Sequence, residues 1–201
     1  MYVMYVIEID VDGVILDTYT GLTDKVKHFY DGFDAERDIH SWSMVELDDL
    51  KQGLRAEVFK LFGDVDYMSS LPFYSCALDA LKRLSDYCIT HDAKIMLNTL
   101  MFTQEIADKR VNFFEDIFRT HGIKAEITAP VNKKSQLNAY IIIEDNVDNI
   151  SNSSAEHKIL IRHGHNRHFD ASDCTPFKSF KAVNSFNEAV NYIIEGELCN
   201  E

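Results

Sequence analysis

Eight glycines and three prolines in 201 residues are too few breakers for a many-turned β-sandwich or a low-complexity linker, and point to regular elements with short joins. Basic charge is scarce as well. Twenty lysines and arginines stand against 33 aspartates and glutamates, a formal net charge of −13, so the average surface repels nucleic-acid polymers and anionic membranes. An anionic substrate therefore needs a locally inverted field. The four cysteines, Cys76, Cys88, Cys174 and Cys199, lie far apart with no C-x-x-C or C-x-x-H pair among them. That spacing suggests neither a zinc knuckle nor a disulfide framework and reads as reduced cytoplasmic thiols. No apolar run approaches the roughly 18 residues of a membrane span, and residues 1–10 carry neither a basic n-region nor a small-residue cleavage site. The expectation is a cytoplasmic protein with no membrane partner. The 46% of apolar residues suffices for one domain-sized core and a small inserted module.

Four short apolar runs stand out. Val3–Ile9 reads VMYVIEI, nearly continuous and rich in β-branched and aromatic residues, the pattern of a central parallel strand buried on both faces. Lys94–Leu97, Tyr140–Ile143 and Lys158–Ile161 repeat it. Between them the apolar residues take a helical period: Ala77, Leu78, Leu81 and Leu84 share one face, and Ile106, Val111, Phe114, Ile117 and Phe118 another. Helices alternating with strands predict a doubly wound α/β sheet. From Asp17 to about Leu71 the rhythm breaks, with amphipathic pieces at Leu22–Tyr30 and Met44–Phe62 and no convincing strand. This stretch reads as a helical insertion after the first strand, and Leu71-Pro72 marks its return, because the residue before proline is pushed away from helix.

In an open parallel sheet ligands bind beyond the carboxyl ends of the strands, so the residues that follow each run carry the function. Asp10-Val11-Asp12-Gly13-Val14 follows the first, Asn98-Thr99 the second, and Glu144-Asp145-Asn146 the run at 140–143, with Lys133-Lys134 upstream. Asp10 and Asp12 would point apart on a straight strand, but a turn permitted by Gly13 can bring a carboxylate and a neighbouring carbonyl round one cation. Oxygen ligands from Asp10, the Asp12 carbonyl and an acid from Glu144 or Asp145 suit Mg²⁺, a hard cation that keeps waters for substrate phosphate. Lys134 adds a second positive group, and the Thr99 hydroxyl is a phosphate-oxygen donor, with Asn98 beside it.

These motifs, in this order and strand context, resemble the four motifs of the haloacid dehalogenase superfamily. Within it the similarity is to the 5′(3′)-deoxyribonucleotidases of the pyrimidine type and their bacterial and phage relatives. It rests on I-D-V-D-G-V-I-L-D at 9–17, on K-x-x-x-x-A-x-x-x-I-x-D at 134–145, and on H-N-R-H-F at 165–169. The resemblance implies a Rossmann-like core at 1–16 and 73–201, with a helical cap at 17–72. It also implies Mg²⁺-dependent hydrolysis of a small phosphomonoester, a nucleoside monophosphate, through an aspartyl-phosphate. Asp10 would be the nucleophile and Asp12 the acid and then base. Thr99, Lys134 and Asn98 would bind phosphate, and Asp10, Asp12, Asp145 and Glu144 the metal. Asp12 speaks against a dehalogenase, which lacks this second acid.

Two residues depart from the family pattern. Glu144 stands where members usually carry aspartate, which favours Asp145 as the direct metal ligand. Leu100 stands where a small hydroxyl residue commonly follows the motif threonine, which removes one phosphate hydrogen bond. These departures keep two alternatives in view: a phosphatase for another small monoester, and a catalytically weakened binding or regulatory protein. His163, His165 and His168 lack a supporting cysteine or acid for zinc, and the resemblance puts them in a surface loop near the cap, in a phosphate-facing or loop-ordering role. Asp148 reads as an outer acid or a helix N-cap. A nucleobase needs an apolar slot, for which Phe29 and Trp42 are the candidates. Self-association as a homodimer is compatible with the sequence.

Overall fold

Six strands form one parallel sheet in the order β3-β2-β1-β4-β5-β6: β1 Tyr5–Ile9, β2 Ala93–Asn98, β3 Ala125–Thr128, β4 Ile141–Glu144, β5 His157–Ile161 and β6 Ser179–Val183. The computed structural model describes residues 5–41, 43–131, 133–134, 137–174 and 176–196. The start of the first apolar run, residues 3 and 4, lies outside them. All four expected strands are present. β4 and β5 are buried along their whole length, as their unbroken apolar runs require. The sequence reading missed β3 and β6, the two edges of the sheet. Their residues, AEIT and SFKAV, place Glu126 and Lys181 toward solvent, and a partly solvated edge strand has no continuous apolar run to betray it.

The helices α6, Ala77–Thr90, and α7, Gln104–His121, fall where the helical period predicts. The Thr103 side chain caps α7 by accepting from the Ile106 N–H, and Gly122 ends it in the left-handed region at φ 62°. That conformation costs glycine nothing. α6 packs on β2 and on α9, Phe186–Ile194, while α7 packs on β3. Phe114 of α7 is fully buried between Phe73, Phe113 and Phe118, with ring centroids 5.3–6.1 Å away. Phe114→Ala should cost about 3–5 kcal/mol, measured as a fall in the urea midpoint at unchanged slope.

Between β1 and α6 the described residues are helical or irregular: α1 Thr18–Val26, α2 Ala35–Asp38, α3 Leu47–Leu50, α4 Leu54–Phe62 and α5 Val65–Ser70. The chain returns beside its own exit, where the Asp17 N–H donates to the Pro72 carbonyl at 2.8 Å and Leu16 pairs with Phe73. One apolar cluster runs from the sheet into this insertion through Leu22, Phe33, Leu47 and Val58. Among the described residues no helix is long and apolar enough to cross a membrane.

Candidate active site

The strand order reverses between β1 and β4, so the ends of these two strands lie side by side at the sheet's switch point. The Asp10 N–H donates to the Ile143 carbonyl at 3.0 Å, which sets Asp10 beside Glu144 and Asp145. Beyond Asp10 the chain coils tightly. The Ile15 and Leu16 N–H groups both donate to the Val11 carbonyl at 2.9 Å, and Gly13 takes φ +82°. A Cβ on Gly13 would collide with the Asp145 carboxylate. Glycine is needed here for both reasons, and the turn it permits brings two distant segments into contact.

Asp10, Glu144 and Asp145 are all buried, and a carboxylate oxygen from each lies within 4.8 Å of the other two. Lys134 enters between them, its Nζ 2.7 Å from Asp10 Oδ1 and 2.6 Å from Glu144 Oε2. Glu144 also accepts from the Asn146 N–H at 3.1 Å and from Asn149 Nδ2 at 3.2 Å. Asp145 is treated differently: both its oxygens are buried with no hydrogen-bond partner, and His165 Nε2 lies 3.9 Å from Oδ2. Burial, then the neighbouring Glu144, pushes the Asp10 carboxyl up to about 8. The same two causes raise Asp145 well above the carboxylate range. Burial alone would lower the Lys134 ammonium, but Asp10 and Glu144 outweigh it and hold it far above the usual lysine range. With all three acids ionised and Lys134 charged, the buried group carries a net charge of −2, which a low-dielectric interior does not tolerate without a cation or protons.

Asp12 takes its partners outside this cluster. Its Oδ1 lies 3.1 Å from Arg110 Nη2, and its Oδ2 accepts from the Thr99 hydroxyl at 3.0 Å. Arg110 reaches it from α7 and also donates to the Met68 carbonyl at 3.1 Å, while its Nη1 is buried without a hydrogen bond. Asn98 is fully buried, and its amide donates to Glu8 Oε1 at 2.6 Å. Glu8 is thus a fourth buried acid near Lys134, its carboxyl raised chiefly by burial. Neither Arg110 nor Glu8 was singled out in the sequence, yet each carries a signal. Arg110 sits on the apolar stripe between Ile106 and Phe114, and Glu8 interrupts the run of β1.

The histidine segment after β5 is only partly on the surface: His165 is buried, whereas Arg167 and His168 are exposed. Gly164–Asn166 forms a buried 3₁₀ turn whose Asn166 amide donates to the Asp145 and Ile161 carbonyls, each at 2.7 Å. Burial pushes His165 down to about 4, so its neutral ring donates from Nε2 to the Asp145 carbonyl at 3.0 Å and accepts at Nδ1 from the Tyr19 hydroxyl at 2.5 Å. Asn146, not Asp148, caps the short helix α8, Val147–Asn152, and the Asp148 N–H donates to it.

Tyr19, Leu22, Met44 and Phe62 from the insertion close over Asp12, Gly13 and Asp145, leaving a cavity of about 20 Å³. Phe62 stacks on Phe102 across 6.0 Å. Phe29 is not among the residues lining this slot and stands 42% exposed, and Trp42 lies outside the described residues. A larger cavity, about 370 Å³, reaches Lys134 and Glu144 beside Leu100. Glu8, Asp148 and Lys133 also line it.

The chain matches the model of the family described as 5′ nucleotidase, deoxy (pyrimidine), cytosolic type C protein over residues 4–195. No curated protein sequence matches it. Among solved structures it is similar to L-2-haloacid dehalogenase from Xanthobacter autotrophicus, at 10% identity and a TM-score of 0.56 over 95% of this chain and 98% of that one. It is also similar to a protein from Clostridium difficile provisionally described as a phosphatase, at 15% identity and a TM-score of 0.54 over 96% and 100%. At such identities these structures speak for the fold alone, a Rossmann-like parallel sheet of the haloacid dehalogenase type.

Proposed function

The chain belongs to the 5′ nucleotidase, deoxy (pyrimidine), cytosolic type C family of phosphomonoester hydrolases, and from that premise we propose that it is a Mg²⁺-dependent 5′-nucleotidase. Its substrates are (deoxy)ribonucleoside monophosphates, and the phosphoryl group passes through Asp10. The observation that carries this reading is the buried cluster of Asp10, Glu144 and Asp145, which with all three ionised and Lys134 counted carries a net charge of −2. A divalent cation matches that charge, and the donor set is oxygen only, as Mg²⁺ requires. Asp145, with two buried oxygens lacking hydrogen bonds, fits a direct ligand better than Glu144, whose oxygens are already engaged by Lys134, Asn146 and Asn149. Asp10 and the Asp12 carbonyl complete the protein's share. When bound, the metal supplies charge neutralisation of the phosphoryl oxygens.

The chain's own groups divide the remaining work. Asp10 attacks phosphorus in line with the departing ribose oxygen, forming the aspartyl-phosphate. Asp12 protonates that oxygen as it leaves and then takes a proton from the water that cleaves the phosphoenzyme. Arg110 and Thr99 set where its carboxylate starts, and the Thr99 hydroxyl is free to turn to a phosphoryl oxygen when Asp12 moves. Lys134 lowers the repulsion between Asp10 and the substrate dianion. Asn98, tied to Glu8, supports the strand end on which Thr99 stands. The insertion, taken as a cap at 17–72 on a core of 1–16 and 73–201, supplies an apolar wall for the nucleoside, with Phe62 and Met44 better placed for it than Phe29.

The test is phosphate release from a panel of nucleoside 5′- and 3′-monophosphates, ribose 5-phosphate and other small phosphomonoesters, with Mg²⁺ and with chelator. Nucleotides should be hydrolysed only with metal, and removing the base should cost about tenfold or more, the worth of a buried aromatic-lined contact. Equal rates on base-free monoesters would transfer the reading to a general small-molecule phosphatase. Absence of metal-dependent release from every ester would leave a binding protein.

A further inference from the structure

His163 has no counterpart in the reaction described above, yet it joins the insertion to the catalytic turn. Its side chain is 6% exposed. Its Nδ1 lies 2.5 Å from Glu36 Oε1, on α2, and its Nε2 lies 2.6 Å from the Gly13 carbonyl. A backbone carbonyl accepts and does not donate, and an ionised carboxylate does the same. Burial pushes the Glu36 carboxyl up, but the bonds from His163 and from the Gly164 N–H outweigh it and hold Glu36 below its ordinary range. Glu36 is therefore the acceptor, and His163 meets both partners only by donating from both ring nitrogens.

Further contacts meet at the same place. The Gly164 N–H donates to Glu36 Oε2 at 2.8 Å, and Arg167 Nη2 donates to the Glu36 carbonyl at 3.2 Å. A Cβ on Gly164 would collide with that carbonyl, so the loop backbone lies directly against α2. The His163 ring is stacked on Tyr19 at 4.5 Å and faces Tyr74 at 5.9 Å and His165 at 6.1 Å. Glu36, Tyr19, Tyr74, His165 and Arg167 are the titratable groups around it.

We propose that His163 is a positioning residue. Donating from both ring nitrogens, it latches α2 of the insertion, through Glu36, to the Gly13 carbonyl, and so fixes the turn that presents Asp12 and closes the insertion over the site. The cavity of about 20 Å³ left beside Asp12 and Asp145 has room for about one water. A nucleotide entering this slot therefore requires the insertion to move, and the latch sets the closed state. The proposal rests on the nucleotidase reading only for its kinetic readout.

The test is a double-variant cycle of His163→Gln and Glu36→Gln on the full chain. A glutamine at 163 carries both its donors on one amide nitrogen and cannot span partners that meet two different ring nitrogens, and Glu36, with a side chain 47% exposed, is a substitution the fold should accept. Hydrogen exchange without substrate should quicken about tenfold at the Arg37, Asp38 and Ile39 amides in each single variant, the worth of one charge-assisted hydrogen bond. The double variant should go no further, because both changes break the same link. With substrate, kcat should fall in the same pattern with KM changing alongside it, as for residues that govern closure. Unchanged protection at 37–39, or effects that add in the double variant, overturns the latch. Exchange is read without substrate, so it judges the latch separately from the nucleotidase reading, against which a latched chain with no turnover would count.

Discussion

Asp10→Asn is expected to lower phosphate release by a factor on the order of 10⁴ or more, the scale set by loss of a nucleophile, in a chain that melts at a higher temperature than the wild type above pH 8. The two effects have one cause. Asp10 follows β1 at the centre of the sheet, and burial followed by repulsion from Glu144 raises its carboxyl to about 8. A carboxyl whose folded value exceeds its unfolded value of 3.8 lends stability that is fully present below about pH 4 and is lost as pH rises through about 8. Above that point the wild type without metal holds an ionised acid in a place that resists ionisation. Asparagine keeps the shape and an oxygen for Lys134 but carries no charge. With chelator present, the variant should match the wild type at pH 4 and exceed it by a few degrees at pH 9, at roughly 2–4 °C per kcal/mol for a chain of this size. Phosphate release and melting curves at both pH values decide it. Retention of metal-dependent turnover would remove Asp10 from the nucleophile's role. A variant less stable at every pH would mean that Asp10 is structural.

The sheet's centre was legible because β1, β2, β4 and β5 are covered on both faces, which demands unbroken apolar runs, whereas β3 and β6 at the edges keep Glu126 and Lys181 in solvent. The acids after β1 and β4 were legible because a parallel sheet fixes which strand ends face a ligand, and the structure brings Asp10, Glu144 and Asp145 within 4.8 Å of one another. What the sequence did not disclose is which partner each polar group takes from far along the chain. Arg110 meets Asp12 across 98 positions, and His163 meets Glu36 across 127. Such pairs follow from packing, and no local period encodes them. The residues lining the apolar slot beside Asp12 went unread for the same reason. Aromatic content drew attention to Phe29, but the fold of the insertion turns Phe62 and Met44 inward instead.

Lys134→Met should produce the largest loss of stability of any single change at the site, about 3–5 kcal/mol near neutral pH, the scale for removing one partner of a buried ion pair. Phosphate release should fall with it by about 10²–10³, the usual effect of deleting one donor to transferring charge. Lys134 Nζ is the only cation within hydrogen-bond reach of Asp10 and Glu144 among the described residues. Methionine preserves most of its length and removes the charge, leaving three buried acids with none opposite. The pH dependence separates charge from packing. Lys134 is held above its ordinary range by those acids, so its contribution is present throughout the pH range below the ordinary lysine value and depends on the acids being ionised. As pH falls through the raised range of Asp10 and Asp145 they become neutral, and the deficit of the variant should shrink, to be smallest at pH 4 and largest at pH 8. A packing defect would be equal at both. Mg²⁺ should also recover more of the melting temperature in the variant than in the wild type, because a divalent cation restores charge that lysine no longer provides. A deficit independent of pH and untouched by Mg²⁺ would mean that Lys134 acts through its hydrocarbon stem, and the −2 balance on which the metal site is argued would fall with it.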